Sequence, residues 1–219
     1  MVACAPARPK AVANTFQLNR SDTMLTLYHT PGELSSRMVW LLEELQADYE
    51  LIITPFPKAD GSGADPRNPH PHGYTPALLH HDSHGGHLVT ETGAIALYLT
   101  DLFPQAEVGV PVGDPLRGAY VSWLFYQVGM TEPLVNMKAA QLLGHFAPYA
   151  RLNDVMMEHL EHTLATQPYM LGERFTAVDI LYMDLFLRVR PLLGPSMAID
   201  AYLARADRPA RRRALQRGG

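Results

Sequence analysis

GYTPALL, residues 73–79, decides how the first part of this chain is read. Ala77, Leu78 and Leu79 have the composition of a buried strand, yet Pro76 stands at its mouth. Proline cannot donate to a sheet ladder, so it belongs at a first position or an edge. An X-Pro bond is also the one place where a cis peptide is readily accessible. Thr75-Pro76 is therefore either an ordinary turn or a deliberate backbone device.

The segments on either side give the proline its setting. Upstream, LTLYH (25–29) reads as a strand and TPGELSS as a turn. Residues 37–46 carry Met38, Leu41, Leu42 and Leu45 at helical spacing, with Ser35 or Ser36 as N-cap. Residues 49–53 read as a second strand. A β-α-β order implies parallel pairing through a right-handed crossover. Residues 54–74, rich in Pro, Gly and Asn, form a long loop with room for a short helix. Downstream, residues 77–80 and 87–89 read as two short strands joined by the turn HDSHGG, hence antiparallel. Residues 92–102 are a helix with Ile95, Tyr98, Leu99 and Leu102 on one face, ended by Phe103-Pro104.

Residues 105–114 read as a connector, and after Pro115 no strand pattern recurs. Helices are expected over 116–137, 149–166, 176–188 and 200–213. The expected architecture is an α/β unit of βαβ-ββα order over 24–104, a linker over 105–114 and an all-helical unit over 115–219. Residues 1–23 lack sustained periodicity and read as a disordered extension, with Met24 a candidate start.

Composition narrows the function classes. Of 219 residues, 47% are hydrophobic and 18% charged, which fits a globular chain with a sizeable core. The net charge of -4 gives no global field for nucleic acid. No apolar run approaches the ~20 residues that span a bilayer. Arg205, Arg208, Arg211, Arg212, Arg213 and Arg217 crowd the end of the chain and read as a solvated tail. The only cysteine is Cys4, so no intramolecular disulfide, CxxC motif or cysteine-based zinc site can form. That suits a reducing cytosol. His70, His72, His80, His81, His84 and His87 cluster without carboxylates or cysteines in a metal-binding spacing. Four of them lie in or beside the hairpin turn and read as solvated, and no metal is expected.

LVTETGAIALYL places Glu91-Thr92 at a helix start. Thr92 can cap the helix, and free N–H groups there attract a carboxylate. Glu91 adds an anion that can hold an ammonium. The pair suits an α-amino-acid head group; a plain cap beside an exposed acid is the alternative.

A βαβ unit joined to a ββα unit, with X-Pro opening the third strand, resembles the thioredoxin-like fold. There the proline is cis and the preceding residue offers its main chain to an extended peptide. The ordered set LYHTPGELSSRMVWLLEEL, HPHGYTPALL, ETGAIALYLTDLFP and PYMLGERFTAVDI resembles the soluble glutathione S-transferase family over nearly the whole chain from Met24. The resemblance implies glutathione as co-substrate, a small hydrophobic electrophile bound between the two units, a homodimer and a cytoplasmic location. It implies that Thr75 and Pro76 bind the cysteinyl part of glutathione, and that Glu91 and Thr92 bind its γ-glutamyl head. Thr176 and Asp179 match a structural capping box, with Phe175 and Ile180 as a hydrophobic staple.

A thiol of pKa near 8.5 is mostly protonated at neutral pH, and lowering it by ~2 units takes roughly 2.7 kcal/mol of differential stabilisation. Relatives supply a Tyr, Ser or Cys donor on the first strand or in the loop after it. Here Leu34 stands where a cysteine is expected and Glu33 where a serine is expected. Ser35 is the first candidate donor, with a plain N-cap as its other reading. Tyr28 is the second, with strand packing as its other reading, and Ser36 and Thr30 follow. Tyr120, Trp123, Tyr126 and Met130 are candidates to line the electrophile pocket; a core stripe is the alternative.

Overall fold

The computed structural model describes residues 24–83 and 85–218. The N-terminal extension with Cys4, and His84 of the hairpin turn, lie outside them. β1 (Met24–His29) is buried from Leu25 onward because it has a strand on each side. β2 (Tyr49–Ile53) pairs with it in parallel, Leu27 opposite Leu51, and β3 (Ala77–Asp82) pairs antiparallel, Leu27 opposite Leu78. β4 (Gly85–Thr90) completes the order β2-β1-β3-β4. The hairpin strands run further than composition suggests. His81 pairs with Gly86 and Asp82 with Gly85, so the ladder continues through residues whose polarity reads as turn. His80 is buried and its Nδ1 hydrogen-bonds the hydroxyl of Tyr98, which corrects the solvated reading for that histidine. Residues 54–76 form turns, with no helix.

α1 (Ser36–Leu45) is the crossover helix, and nine of its ten residues are buried. An amphipathic helix would leave one face in water. Here that face is covered by α8 (Pro209–Arg217), the segment whose arginines read as a solvated tail. The correction is electrostatic. Arg208 forms a two-point contact with Glu44, at 2.6 and 3.1 Å. Glu43, itself buried, pairs with Arg213 at 2.7 Å and Arg217 at 3.1 Å and accepts from the Tyr49 hydroxyl at 2.9 Å. Burial and that acceptor push the Tyr49 phenol up to about 12. The expected helix over 200–213 is two helices, α7 (Met197–Leu203) and α8. Pro209 divides them: it brings no N–H and holds Arg208 extended at φ -107, ψ 149.

α2 (Thr92–Leu102) packs beside α1. The connector after it is anchored, since Val108 and Val110 are buried and Val108 O accepts from Ala177 N at 2.7 Å. The long helix expected over 116–137 is α3 (Arg117–Tyr126), a π-helical turn at Gln127–Thr131, and α4 (Glu132–Ala139). α5 (Ala147–Thr166) and α6 (Ala177–Val189) follow. The α6 capping box is formed. Asp179 accepts from Met170 N and Thr176 N at 2.8 Å each, from Thr176 Oγ1 at 3.2 Å and from the Tyr202 hydroxyl at 3.0 Å. Burial still outweighs those bonds and raises its carboxyl to about 6. The result is a thioredoxin-like sheet unit followed by helices alone.

Candidate functional site

A cleft of about 260 Å³ opens where the loop before β3, the starts of α1 and α2, and α4 converge. Thr75-Pro76 is cis and lies on its wall. Among the described residues, neither the N–H nor the C=O of Thr75 has a hydrogen-bond partner. Its side chain is fixed instead: Oγ1 meets Thr30 Oγ1 at 3.0 Å, which donates to Thr54 O at 2.9 Å. That relay ties the ends of β1 and β2 to the proline loop. Asn68 holds the approach by donating to Gly73 O at 3.0 Å and Tyr74 O at 2.9 Å. Gly73 is obligatory on two counts, a φ of 69° and an Ala64 Cβ that would stand 2.8 Å from any added Cβ.

Glu91 and Thr92 face the same cleft. Thr92 is the first residue of α2 rather than its cap; Glu91 occupies the cap position, and no side chain caps the helix. Glu91 does so at φ 69°, ψ 125°, where a residue with a Cβ is strained by roughly 1–3 kcal/mol. Such strain concentrates at ligand sites. The rest of the wall is Glu33 and Leu34 before α1, the ring of His70, and the stacked rings of Phe56 and Tyr74, 5.4 Å apart and each 47% exposed. Burial lowers the His70 pKa, which leaves its imidazole neutral at neutral pH.

Arg37 was outside the sequence-derived binding set, yet it lines the cleft at 1% exposure. Its Nη2 pairs with Glu132 of α4 at 2.7 Å, while Nε and Nη1 are buried without a partner. A cation inside the apolar run of α1 was the available signal. Glu132, the other partner, carried none.

The candidate donors lie elsewhere. Ser35 is fully buried and does not line the cleft. His29 Nε2 meets the carbonyl of Gly218 at 2.8 Å, so that nitrogen is the protonated one and Nδ1 is an acceptor. Ser35 Oγ, 2.8 Å from Nδ1, donates to it while accepting from Thr30 N at 3.2 Å. Its one proton is thus used inside the β1–α1 loop. Tyr28 is buried in β1 on the face opposite Leu27 and His29, also outside the cleft wall. Tyr120 is buried and hydrogen-bonds Thr100 Oγ1 at 2.8 Å. Trp123 stacks on His159 at 4.9 Å with Tyr126 edge-on at 5.5 Å, an aromatic cluster joining α3 to α5. Met130 is half-buried in the π-helical turn. The structure brings Thr75, Pro76, Glu91 and Thr92 together and keeps the aromatic stripe off that wall.

A thioredoxin-like sheet with a cis-proline wall, continued by a helical unit, defines the architectural class. The family follows from comparison. The model described as "Glutathione S-transferase, N-terminal domain" matches residues 23–101. An uncharacterized GST-like protein of Streptococcus mutans is 30% identical over 240 aligned positions, covering 95% of this chain and 88% of the relative. The disulfide-bond oxidoreductase YfcG of Escherichia coli is 28% identical over 209, covering 88% and 94%. The solved structure of a sphingomonad glutathione S-transferase complexed with glutathione matches with TM-score 0.69 and 25% identity, over 89% of this chain and 98% of that one. The chain belongs to the glutathione S-transferase family.

Proposed function

We propose that this protein is a cytoplasmic, homodimeric glutathione transferase that adds the thiolate of glutathione to a small hydrophobic electrophile. The observation that carries the reading is the unpartnered main chain of Thr75 sharing one cleft with Glu91 and the uncapped start of α2. The cysteinyl unit pairs with Thr75 as an added strand residue against Pro76. The γ-glutamyl carboxylate meets the α2 N-terminus at Thr92 and its ammonium meets Glu91. The sphingomonad relative, complexed with glutathione, supports this assignment.

Thiol activation falls to groups on the cleft wall. The α1 N-terminus carries a partial positive charge, and Arg37 has two free donors beside it. Both favour the thiolate over the thiol. Ser35 and Tyr28 serve by holding the β1–α1 loop and the strand behind it. The electrophile enters from the side of α4. The exposed Phe56–Tyr74 stack at the cleft rim is the surface we assign to the dimer contact.

Conjugation of a generic aryl halide tests the function. The expected result is a glutathione-dependent rate above the uncatalysed reaction, lost in Arg37→Leu and retained in Ser35→Ala if that variant folds. Ultraviolet thiolate absorbance should show the bound thiol titrating higher in Arg37→Leu. Loss of thiolate in Ser35→Ala with none in Arg37→Leu would return the donor role to Ser35. A second reading, a glutathione-binding module without conjugating activity, is favoured by the apolar Leu34 at the donor position. It wins if glutathione binds while several electrophiles stay unreacted. The likeness to YfcG adds a disulfide substrate to the panel, with glutathione itself as the attacking thiol.

A further inference from the structure

The cleft is acidic. Glu33, Glu91 and Glu132 line it against a single guanidinium, that of Arg37, so its walls carry two negative charges in excess. His70 offsets neither, because burial keeps its imidazole neutral at neutral pH. Arg37 is no mobile counterion either: it is 1% exposed and already paired with Glu132. Among the described residues, Glu33 and Glu91 meet no cation. Glu132 uses only one of its oxygens. Oε2 accepts from Arg37 at 2.7 Å and from Gln127 Nε2 at 3.3 Å, while Oε1 has no partner among the described residues.

Glutathione enlarges the imbalance. Its thiolate form brings two carboxylates, one sulfur anion and one ammonium, and Glu91 takes the ammonium. Arg37, buried with Nε and Nη1 unpartnered, is the one charged wall group that favours the thiolate. The starts of α1 and α2 add roughly half a unit of positive charge each. Glu33 and the open oxygen of Glu132 remain unbalanced. Glu33 is exposed just before α1, and the Glu132 side chain is 19% exposed on the side of α4, so solvent reaches both. Leu34 supplies an apolar surface on the same wall.

We propose that the glutathione-occupied cleft selects a cationic second substrate, a small activated alkene carrying a quaternary or protonated amine, with Glu33 and Glu132 holding the cation. The inference rests on the glutathione reading and narrows its electrophile. In the reaction, the thiolate sulfur bonds to the β-carbon of the alkene. The π pair moves onto the conjugated carbonyl as an enolate, and the α-carbon then takes a proton from water. That proton replaces the one the thiol released, so the product is a neutral thioether linkage with the amine untouched.

Three acrylate esters share one reactive group and differ in charge: 2-(trimethylammonio)ethyl, 2-hydroxyethyl and 2-carboxyethyl acrylate. Each kcat/KM is divided by the uncatalysed rate with glutathione. The cation should exceed the neutral ester by about tenfold, the worth of two partly exposed ion pairs, and the anion should be the poorest. Glu33→Gln should reduce the cation's advantage to about threefold, and added salt should shrink it in the parent. Calorimetry with propionylcholine, the unreactive saturated counterpart, on protein saturated with S-methylglutathione reads the same preference without turnover. Propionylcholine should bind about tenfold more tightly than 2-hydroxyethyl propionate. S-methylglutathione binding with no acrylate turned over would defeat the conjugation reading, and the propionylcholine comparison would still decide the cation site. Equal normalised rates for the three esters, as a basic group supplied by a second copy would give, would overturn the inference and leave the conjugation reading standing. So would propionylcholine binding no better than its neutral counterpart. A Glu33→Gln variant that loses stability but keeps the full preference would assign that carboxylate to the α1 start and overturn its part.

Discussion

Replacing Asp179 by alanine should remove more stability than any other single truncation in the helical unit. The carboxylate closes the first turn of α6, pins Met170 of the preceding segment and anchors Tyr202 of α7. Alanine would strand three buried donors, the N–H groups of Met170 and Thr176 and the Thr176 hydroxyl, and leave the Tyr202 hydroxyl only its 3.4 Å contact with the residue 179 carbonyl. Each stranded donor costs about 1–3 kcal/mol. The surroundings relax in part, so the lower half of the sum, roughly 4 kcal/mol, is the expected loss. Domain stabilities run about 5–15 kcal/mol, so the variant should be marginal. With a urea slope of about 2 kcal/mol/M, the midpoint should fall by about 2 M at fixed protein concentration. Asp179→Asn keeps one acceptor oxygen but points an amide at donors, and should lose about half as much. A loss below about 1 kcal/mol for alanine would refute the reasoning, because the three donors would then be satisfied without the carboxylate.

The remaining predictions concern the loop, the strained residue and the last helix. Burial lowers the His29 pKa below its ordinary 6.5, so the folded state holds the proton less tightly than the unfolded chain. Its contribution is complete above pH 6.5 and is lost as pH falls through the folded value, at no more than about 1.4 kcal/mol per pH unit. Denaturation midpoints at pH 7.5 and 5.5 should show this fall in the parent and a shallower one in His29→Gln; equal slopes would dismiss it. Glu91→Gly should raise stability by about 1 kcal/mol by relieving its positive φ, while glutathione binding, read by calorimetry, weakens. A stability that stays level or drops would mean the backbone there is unstrained. Glu43→Ala should loosen α8 by about 2 kcal/mol and expose it to limited proteolysis, since Arg213, Arg217 and Tyr49 lose one shared partner. Unchanged cleavage of α8 would mean that its apolar contacts alone hold it.

Features governed by near neighbours in the chain were legible without coordinates. The β1 composition, the spacing of Met38, Leu41, Leu42 and Leu45, the Thr176–Asp179 box and the proline ahead of Ala77 each act over a few residues, and all four stand in the fold. The meeting of Thr75 with Glu91 was legible only through resemblance, since fifteen residues and a hairpin separate them. What no local pattern carries is the identity of the group across a contact. Arg208, Arg213 and Arg217 have the composition of a solvated tail, and only the docking of α8 brings them to Glu44 and Glu43. Arg37 reads from sequence as an ion-pairing or capping residue, but only the docking of α4 names Glu132 as its partner. Ser35 carries a hydroxyl at a helix start in either case; its proton goes inward because β1 and the chain terminus put His29 and Gly218 behind it. Backbone preference is a property of a short segment, so sequence sets it. Whether a charge is solvated, paired or free to meet a ligand depends on distant residues brought within ~3 Å, and that only the tertiary structure decides.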